Sequence, residues 1–242
     1  MFALLKKELW GYFGSWNAWI IMALFSIVSS LFLFFFDNNF NIFNIGTASL
    51  QSFFVLAPWI FMFIMPAICM KSIAEEEQNG TLYWLFSQPL KISDILMGKY
   101  LACVLVGIFC LLPSLVYFYT VYTLSVPKGN LDLGMIRGSY LGIFLLIGGF
   151  CALGILASSV VKNQVLAYLI GLFLNFIFWF GWDQLASYQL MGKADYFIQN
   201  VGFSHHFTSF SRGVIDSKDV FYFLLIIILC LVGSHFFIQK KK

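Results

Sequence analysis

Six apolar runs, each long enough to cross a bilayer, dominate the chain: 16–36, 51–70, 95–124, 139–160, 164–182 and 220–238. A spanning helix needs roughly 20 mostly apolar residues, since it rises about 1.5 Å per residue across a hydrocarbon core about 30 Å thick. No water is present there to satisfy backbone groups, so each run must close its hydrogen bonds within itself as a helix. The composition agrees. Of 242 residues, 61% are hydrophobic and only 10% charged, against about 25% charged in a soluble domain. The sequence therefore predicts an all-α integral membrane protein, one six-span domain over residues 1–242. The third run is long for a single crossing and holds Pro113, which leaves two readings, a kink at the proline or a helix that projects beyond the bilayer.

An even number of spans puts both termini on one side, and the distribution of cations chooses the side. With the termini inside, the inner segments carry Lys6, Lys7, Lys71, Lys91, Lys99, Lys162 and Lys240–Lys242. The outer segments carry Lys128, Arg137, Lys193, Arg212 and Lys218. Nine cations against five favours cytoplasmic termini. Lys91 and Lys99 read in this scheme chiefly as topology signals. The net charge of +3 is small and gives no reason to expect nucleic acid as a partner.

Ahead of the first span, Phe2, Leu5, Leu9 and Tyr12 recur at helical spacing while Lys6, Lys7 and Glu8 fall on another face. This predicts a short amphipathic helix in the headgroup region, touching lipid, with Trp10, Tyr12 and Trp16 as anchors. The first run is too long and aromatic for a cleaved signal peptide. Residues 126–138 form a second outer loop, and 161–163 a tight inner turn. The segment 183–219 mixes Tyr196, Phe197, Phe203, Phe207 and Phe210 with polar residues, which predicts one or two short helices at the outer interface. Gly138 and Gly142 form a GxxxG in the fourth span, suited either to packing inside the chain or to a dimer seam.

Much chemistry is absent from the sequence. Gly98-Lys99 is followed by Tyr100 and Gly192-Lys193 by Ala194, so neither completes a phosphate-binding GxxxxGK[ST]. His205 and His206 have no HExxH context and no carboxylate at ligand spacing, so a hydrogen-bonding role outranks a metal site. The five cysteines, Cys69, Cys103, Cys110, Cys151 and Cys230, sit in apolar runs without a CxxC and read as buried thiols. No carboxylate lies at mid-span. Asn175 is the clearest polar group there and reads as interhelical glue. Neither catalysis nor ion coupling is indicated, which leaves a mechanical part driven from outside.

One polar segment interrupts the apolar chain, KSIAEEEQNGTLYWLFSQPLKISDILMGK, residues 71–99. Lys71 meets the membrane surface and Glu75, Glu76 and Glu77 continue into water. Asn79-Gly80 stops a helix. Leu82, Leu85 and Phe86 then recur at i, i+3, i+4 beside Tyr83 and Trp84. Pro89 ends this short helix, and Ser93 caps the next, with Asp94 in its first turn. The residues alone leave two readings open: docking of a soluble partner, or an apolar helix resting on lipid.

The order of residues from Glu77 to Lys99, with Gly80-Thr81-Leu82, Pro89 and Gly98-Lys99, resembles the loop between spans two and three of ABC-2 type permeases. The stretch LLKKELWGYFGSW and the segment 206–224 are similar to that family's N-terminal and outer segments, so the likeness covers essentially the whole chain. The resemblance implies a permease subunit that binds no cofactor and pairs with a second permease. ATP and Mg would be held by a separate cytoplasmic ATP-binding subunit. It assigns the contact with that subunit to Glu75, Glu76, Glu77, Gly80, Thr81, Leu82, Trp84, Leu85 and Pro89. Within the family, the short length and Phe-rich composition are similar to gliding-motility-associated permeases of Bacteroidetes, which implies involvement in surface gliding or in export of envelope material. A non-transport scaffold and an intramembrane enzyme are the alternatives.

Overall fold

Each apolar run folds as helix in the computed structural model, and no strand occurs among the described residues, which are 2–46, 49–88, 90–188, 192 and 198–241. The helices are α1 (Phe2–Gly14), α2 (Trp16–Ser30, continued by a π-helical turn Leu31–Phe35), α3 (Ile42–Ile45) and α4 (Gln51–Cys69). The polar segment forms α5 (Ala74–Gln78) and α6 (Thr81–Ser87), followed by α7 (Ile92–Cys110) and α8 (Ser114–Leu124). Then come α9 (Leu133–Val160), α10 (Gln164–Phe176, continued by a π-helical turn Ile177–Gly181), α11 (Trp182–Ser187), α12 (Phe203–Ser211) and α13 (Ser217–Gln239). Six stretches are long and apolar enough to cross a membrane: Trp16–Phe35, Gln51–Gln78, Ile92–Leu124, Leu133–Val160, Gln164–Ser187 and Ser217–Gln239. Pro89, Lys193, Tyr196, Phe197 and Lys242 lie outside the described residues.

The third crossing breaks where its proline sits. Residues 111–113 form a turn between α7 and α8, and Pro113 takes the N-cap position of α8 with φ −58°. Proline suits a helix start, because the missing N–H would be unpaired there in any case.

The most deeply buried helix is α9, followed by α4, while the crossings built on α2, α10 and α13 keep most of their residues facing outward. Small residues let α9 hold that position. A Cβ on Gly142 would lie 2.7 Å from Cβ of Phe210, and one on Gly138 would lie 2.9 Å from Cα of Gly213. The GxxxG of span four therefore packs inside the chain, against α12 and the turn after it.

That turn belongs to an apolar plug. Phe203, Phe207 and Phe210, at i, i+4, i+7 on α12, are all buried. Phe203 meets Phe150, Phe178 and Phe223 with ring centroids 5.2–5.7 Å apart. His206, on the other face of α12, binds Asp219 through Nδ1 at 2.6 Å and the Asn200 carbonyl through Nε2 at 2.9 Å. Thirteen positions separate His206 from Asp219, so the carboxylate missing at local ligand spacing arrives from the first turn of α13. Asn175 is fully buried, and neither of its amide atoms has a hydrogen-bond partner among the described residues. It is not the interhelical glue that its polarity predicts.

The face that α1 buries is wider than the expected one. Of the expected residues Tyr12 is buried, Leu5 and Leu9 are half-buried and Phe2 is exposed, while Leu4 is buried and Glu8 half-buried beside them. Leu4, Glu8 and Tyr12, spaced i, i+4, i+8, follow the first half of α7. Leu4 packs on Gly98, Glu8 reaches Lys99, and Tyr12 touches Cys103. Glu8 belongs to the packed face because its charge has a buried partner, which hydrophobic spacing alone does not reveal.

Candidate functional site

The polar segment 71–99 gathers several distant parts of the chain. Ser158, near the end of α9, accepts the backbone N–H groups of Ile73 and Ala74 at 3.2 and 2.9 Å. This fixes the start of α5 and satisfies donors that its missing N-cap side chain leaves open. The glutamates of α5 then meet cations from three further elements.

Lys99, on α7, has a side chain only 1% exposed. Its ammonium lies 2.8 Å from Glu76 and 3.1 Å from Glu8 of α1. Glu77 is 5% exposed at its side chain and binds Lys241 near the C-terminus at 2.5 Å and Lys162, in the turn before α10, at 3.7 Å. Among the described residues, three carboxylates thus meet three ammoniums. These pairs place α1, the 161–163 turn and the C-terminal end at the same end of the bundle as α5, as an even number of crossings requires.

Two sequence expectations are corrected here. Glu76 and Glu77 do not continue into water: they are drawn onto the bundle by Lys99, Lys162 and Lys241. Lys99 is not chiefly a topology signal but the buried centre of an ion network. Removing a charge from water costs several kcal/mol, which only opposite charges and hydrogen bonds at close range offset. The signal was legible, since an ionisable residue inside an apolar run marks a site by default. Ser93 is corrected as well. α7 already begins at Ile92, with Lys91 in the N-cap position and no side-chain cap, while Asp94 does lie in the first turn.

Glu75 forms no salt bridge among the described residues. With Lys7, Tyr12, Lys71 and Asn79 it lines a cleft of about 330 Å³ between α1 and α5. Tyr12 forms part of its wall and donates its hydroxyl proton to the Ile68 carbonyl at 2.9 Å. Burial pushes the Tyr12 phenol well above its ordinary value, so it stays a donor.

Gly80 separates α5 from α6 with φ +72°, a left-handed conformation that costs glycine little. Thr81 donates its hydroxyl proton to the Glu76 carbonyl across this joint at 3.2 Å. On α6 the expected spacing holds: Leu82 and Leu85 are buried and Phe86 is half-buried. Leu85 packs with Leu4 of α1 and Ile95 of α7. The opposite side carries Tyr83 and Trp84, 62% and 63% exposed. Of the residues assigned to the contact, Glu76, Glu77, Leu82 and Leu85 turn inward. Glu75, Thr81 and Trp84 remain accessible, and Pro89 lies outside the described residues.

The arrangement has one exposed aromatic face and a set of short-range ties leading from α5 and α6 into α1, α7 and α9. No curated protein matches the chain. A family model described as ABC-2 family transporter protein matches residues 2–234, nearly the whole length. This is a multi-pass membrane protein, the membrane-spanning component rather than the ATPase of its transporter, and the chain belongs to the ABC-2 transporter family.

Proposed function

We propose that this chain is a permease whose α6 docks the ATP-binding subunit and whose α5 passes the resulting displacement to the membrane helices. The observation that carries this reading is the pair Tyr83 and Trp84, exposed on a helix whose other face is buried against α1 and α7. Exposed aromatic anchors are what protein interfaces concentrate. A push on α6 has two rigid routes inward: Leu85 against Leu4 and Ile95, and α5 through Glu76–Lys99 and Ser158. The first leads to α1 and the start of α7, the second to α7 and the end of α9, and α5 follows α4 directly in the chain, so closure of two ATP-binding subunits would tilt α4 and α7 and open a path between two permeases. ATP and Mg²⁺ are held by the partner subunit in this scheme, and this chain only binds and transmits.

The same reading puts α6 and both termini in the cytoplasm, with the bundle in the inner membrane. Export of envelope material, linked to gliding, is the more specific assignment. Its support is the likeness of the Phe-rich composition to that branch of the family.

The test is co-purification of the permease, in lipid nanodiscs, with its ATP-binding subunit. Tyr83→Ala and Trp84→Ala are each expected to weaken association at least about tenfold, the loss of an aromatic hot spot, and to lower transport in parallel. Unchanged association and transport in both variants would leave α6 as a helix that merely rests on lipid, and would reject the docking role.

A further inference from the structure

Beneath the ion network, three cysteines from three membrane helices meet. Cys69 ends α4, Cys103 lies one turn after Lys99 on α7, and Cys151 sits in the middle of α9. All three are fully buried. Their sulfurs lie within 4.8 Å of one another, and those of Cys69 and Cys151 are 3.6 Å apart. No sequence motif joins them, because 34 and 48 positions separate consecutive members.

Buried cysteine is often only a small hydrophobe at a helix crossing. Cys110 and Cys230 fit that description: each is buried, and neither belongs to the cluster. The triad differs because three sulfurs converge on one point. Gly154 is what admits Cys69, since a Cβ there would stand 2.8 Å from Cys69 Cβ and 3.1 Å from its sulfur. The thiols have only weak local partners. Cys69 faces the Cys151 carbonyl at 3.6 Å, Cys151 the Tyr100 carbonyl at 3.7 Å, and Cys103 the Tyr12 hydroxyl at 3.6 Å.

We propose that Cys69, Cys103 and Cys151 form a three-sulfur site for a soft monovalent metal ion of the Cu(I) class. A metal bonded to each sulfur at about 2.3 Å in a plane requires sulfurs about 4.0 Å apart. The observed separations, from 3.6 Å to at most 4.8 Å, bracket that value. Thiolates select soft ions. Zn²⁺ favours four donors, and the cluster offers three among the described residues, its neighbouring oxygens being two backbone carbonyls and the Tyr12 hydroxyl. Each metal–thiolate bond that forms releases one proton to water. Tyr12 stands between the cleft of α1 and α5, which it lines, and Cys103, which it touches. A bound ion would pin α4, α7 and α9 together at the end of the bundle that carries α6.

The experiment uses the full chain in nanodiscs under anaerobic, reducing conditions, with Cu(I) delivered from a competing chelator. About one Cu(I) per chain is expected, with X-ray absorption of the unmutated protein showing three sulfur neighbours. Cys69→Ser, Cys103→Ser and Cys151→Ser should each weaken binding by at least about 10–100-fold, the loss caused even by outer partners of a metal. The double variant Cys110→Ser/Cys230→Ser should bind as the parent does. The absorption measurement needs no variant, so a folding defect in a serine substitution does not decide the outcome. Absence of Cu(I) uptake by the unmutated protein, binding that survives loss of all three cysteines, or a site that takes Zn²⁺ and refuses Cu(I) would overturn the assignment.

Discussion

Between Ala74 and Ser87 the chain makes two short helices separated by Gly80, and they treat water in opposite ways. α5 contains three consecutive glutamates, yet two of them are folded onto the bundle by the buried Lys99 and the partly buried Lys241. α6 is aromatic and apolar, yet two of its largest side chains stand in the open. Burial normally follows the reverse order, because carboxylates lose hydration and aromatic rings gain by leaving water. The inversion separates two roles. Where charge is buried at close range, it fixes geometry. Where apolar surface stays uncovered beside fixed geometry, it is available to a partner or to lipid.

The comparison breaks most severely at Lys99. Lys99→Ala leaves Glu8 and Glu76 facing each other at the bundle surface with no cation between them. Removing one partner of a buried ion pair costs about 3–5 kcal/mol, and a marked fall in unfolding temperature of the nanodisc-embedded protein is expected. The triple variant Lys99→Met, Glu8→Gln, Glu76→Gln should recover much of that loss, because no uncompensated charge remains. A single Lys99→Ala variant that melts like the parent would show that the network is not what holds α5.

Leu85→Ala strikes the other helix from within. Leu85 is 4% exposed and joins α6 to Leu4 and Ile95. Truncating a buried leucine costs about 2–5 kcal/mol, and a site at the bundle edge that can collapse belongs at the lower end. Partner association should fall as well, since the aromatic face loses its support. Normal stability with normal association would separate α6 from α1 and α7 in function.

Lys162 provides a milder test of α5. Its side chain is 77% exposed and 3.7 Å from Glu77, which Lys241 already holds more closely. An exposed pair contributes about 0–1 kcal/mol and is screened by salt. Lys162→Ala should therefore change the melting temperature little, and less at high salt. A loss comparable to that at Lys99 would make Lys162 a principal tie of the network.

Much of this architecture is legible in the sequence, and the reasons differ by region. Long apolar runs define the crossings because lipid permits little besides helix. The break at Pro113, the stop at Gly80 and the inward spacing of Leu82 and Leu85 follow from local rules that tertiary packing leaves intact. What the sequence hides is mostly long-range pairing. Glu8 meets Lys99 across 91 positions, Ser158 meets Ala74 across 84, and Cys69 meets Cys151 across 82. Periodicity cannot announce such partners. It assigned Glu8 to a polar face and the glutamates of α5 to water, because it treats every charge as seeking solvent. Lys99 is the exception that could have been read, a cation inside an apolar run.

The smallest expected effect on stability comes from Trp84, and it sharpens the comparison most. The ring is 63% exposed and belongs to no buried cluster, so Trp84→Ala should shift unfolding by no more than about 0.5 kcal/mol, as surface substitutions usually do. Set beside Lys99→Ala, the two variants form a crossed pair. One should lower stability whether or not the ATP-binding subunit is present. The other should leave the isolated permease unchanged and weaken only the complex, by at least about tenfold in affinity. Thermal unfolding measured alone and again with saturating partner reads both quantities. The parent and Lys99→Ala should each gain stability when the partner is added, by the mass-action coupling of binding to folding. Trp84→Ala should gain less at the same partner concentration. If Trp84→Ala gains as much as the parent, α6 is not the surface that the partner covers, and the exposed ring must be assigned to lipid instead.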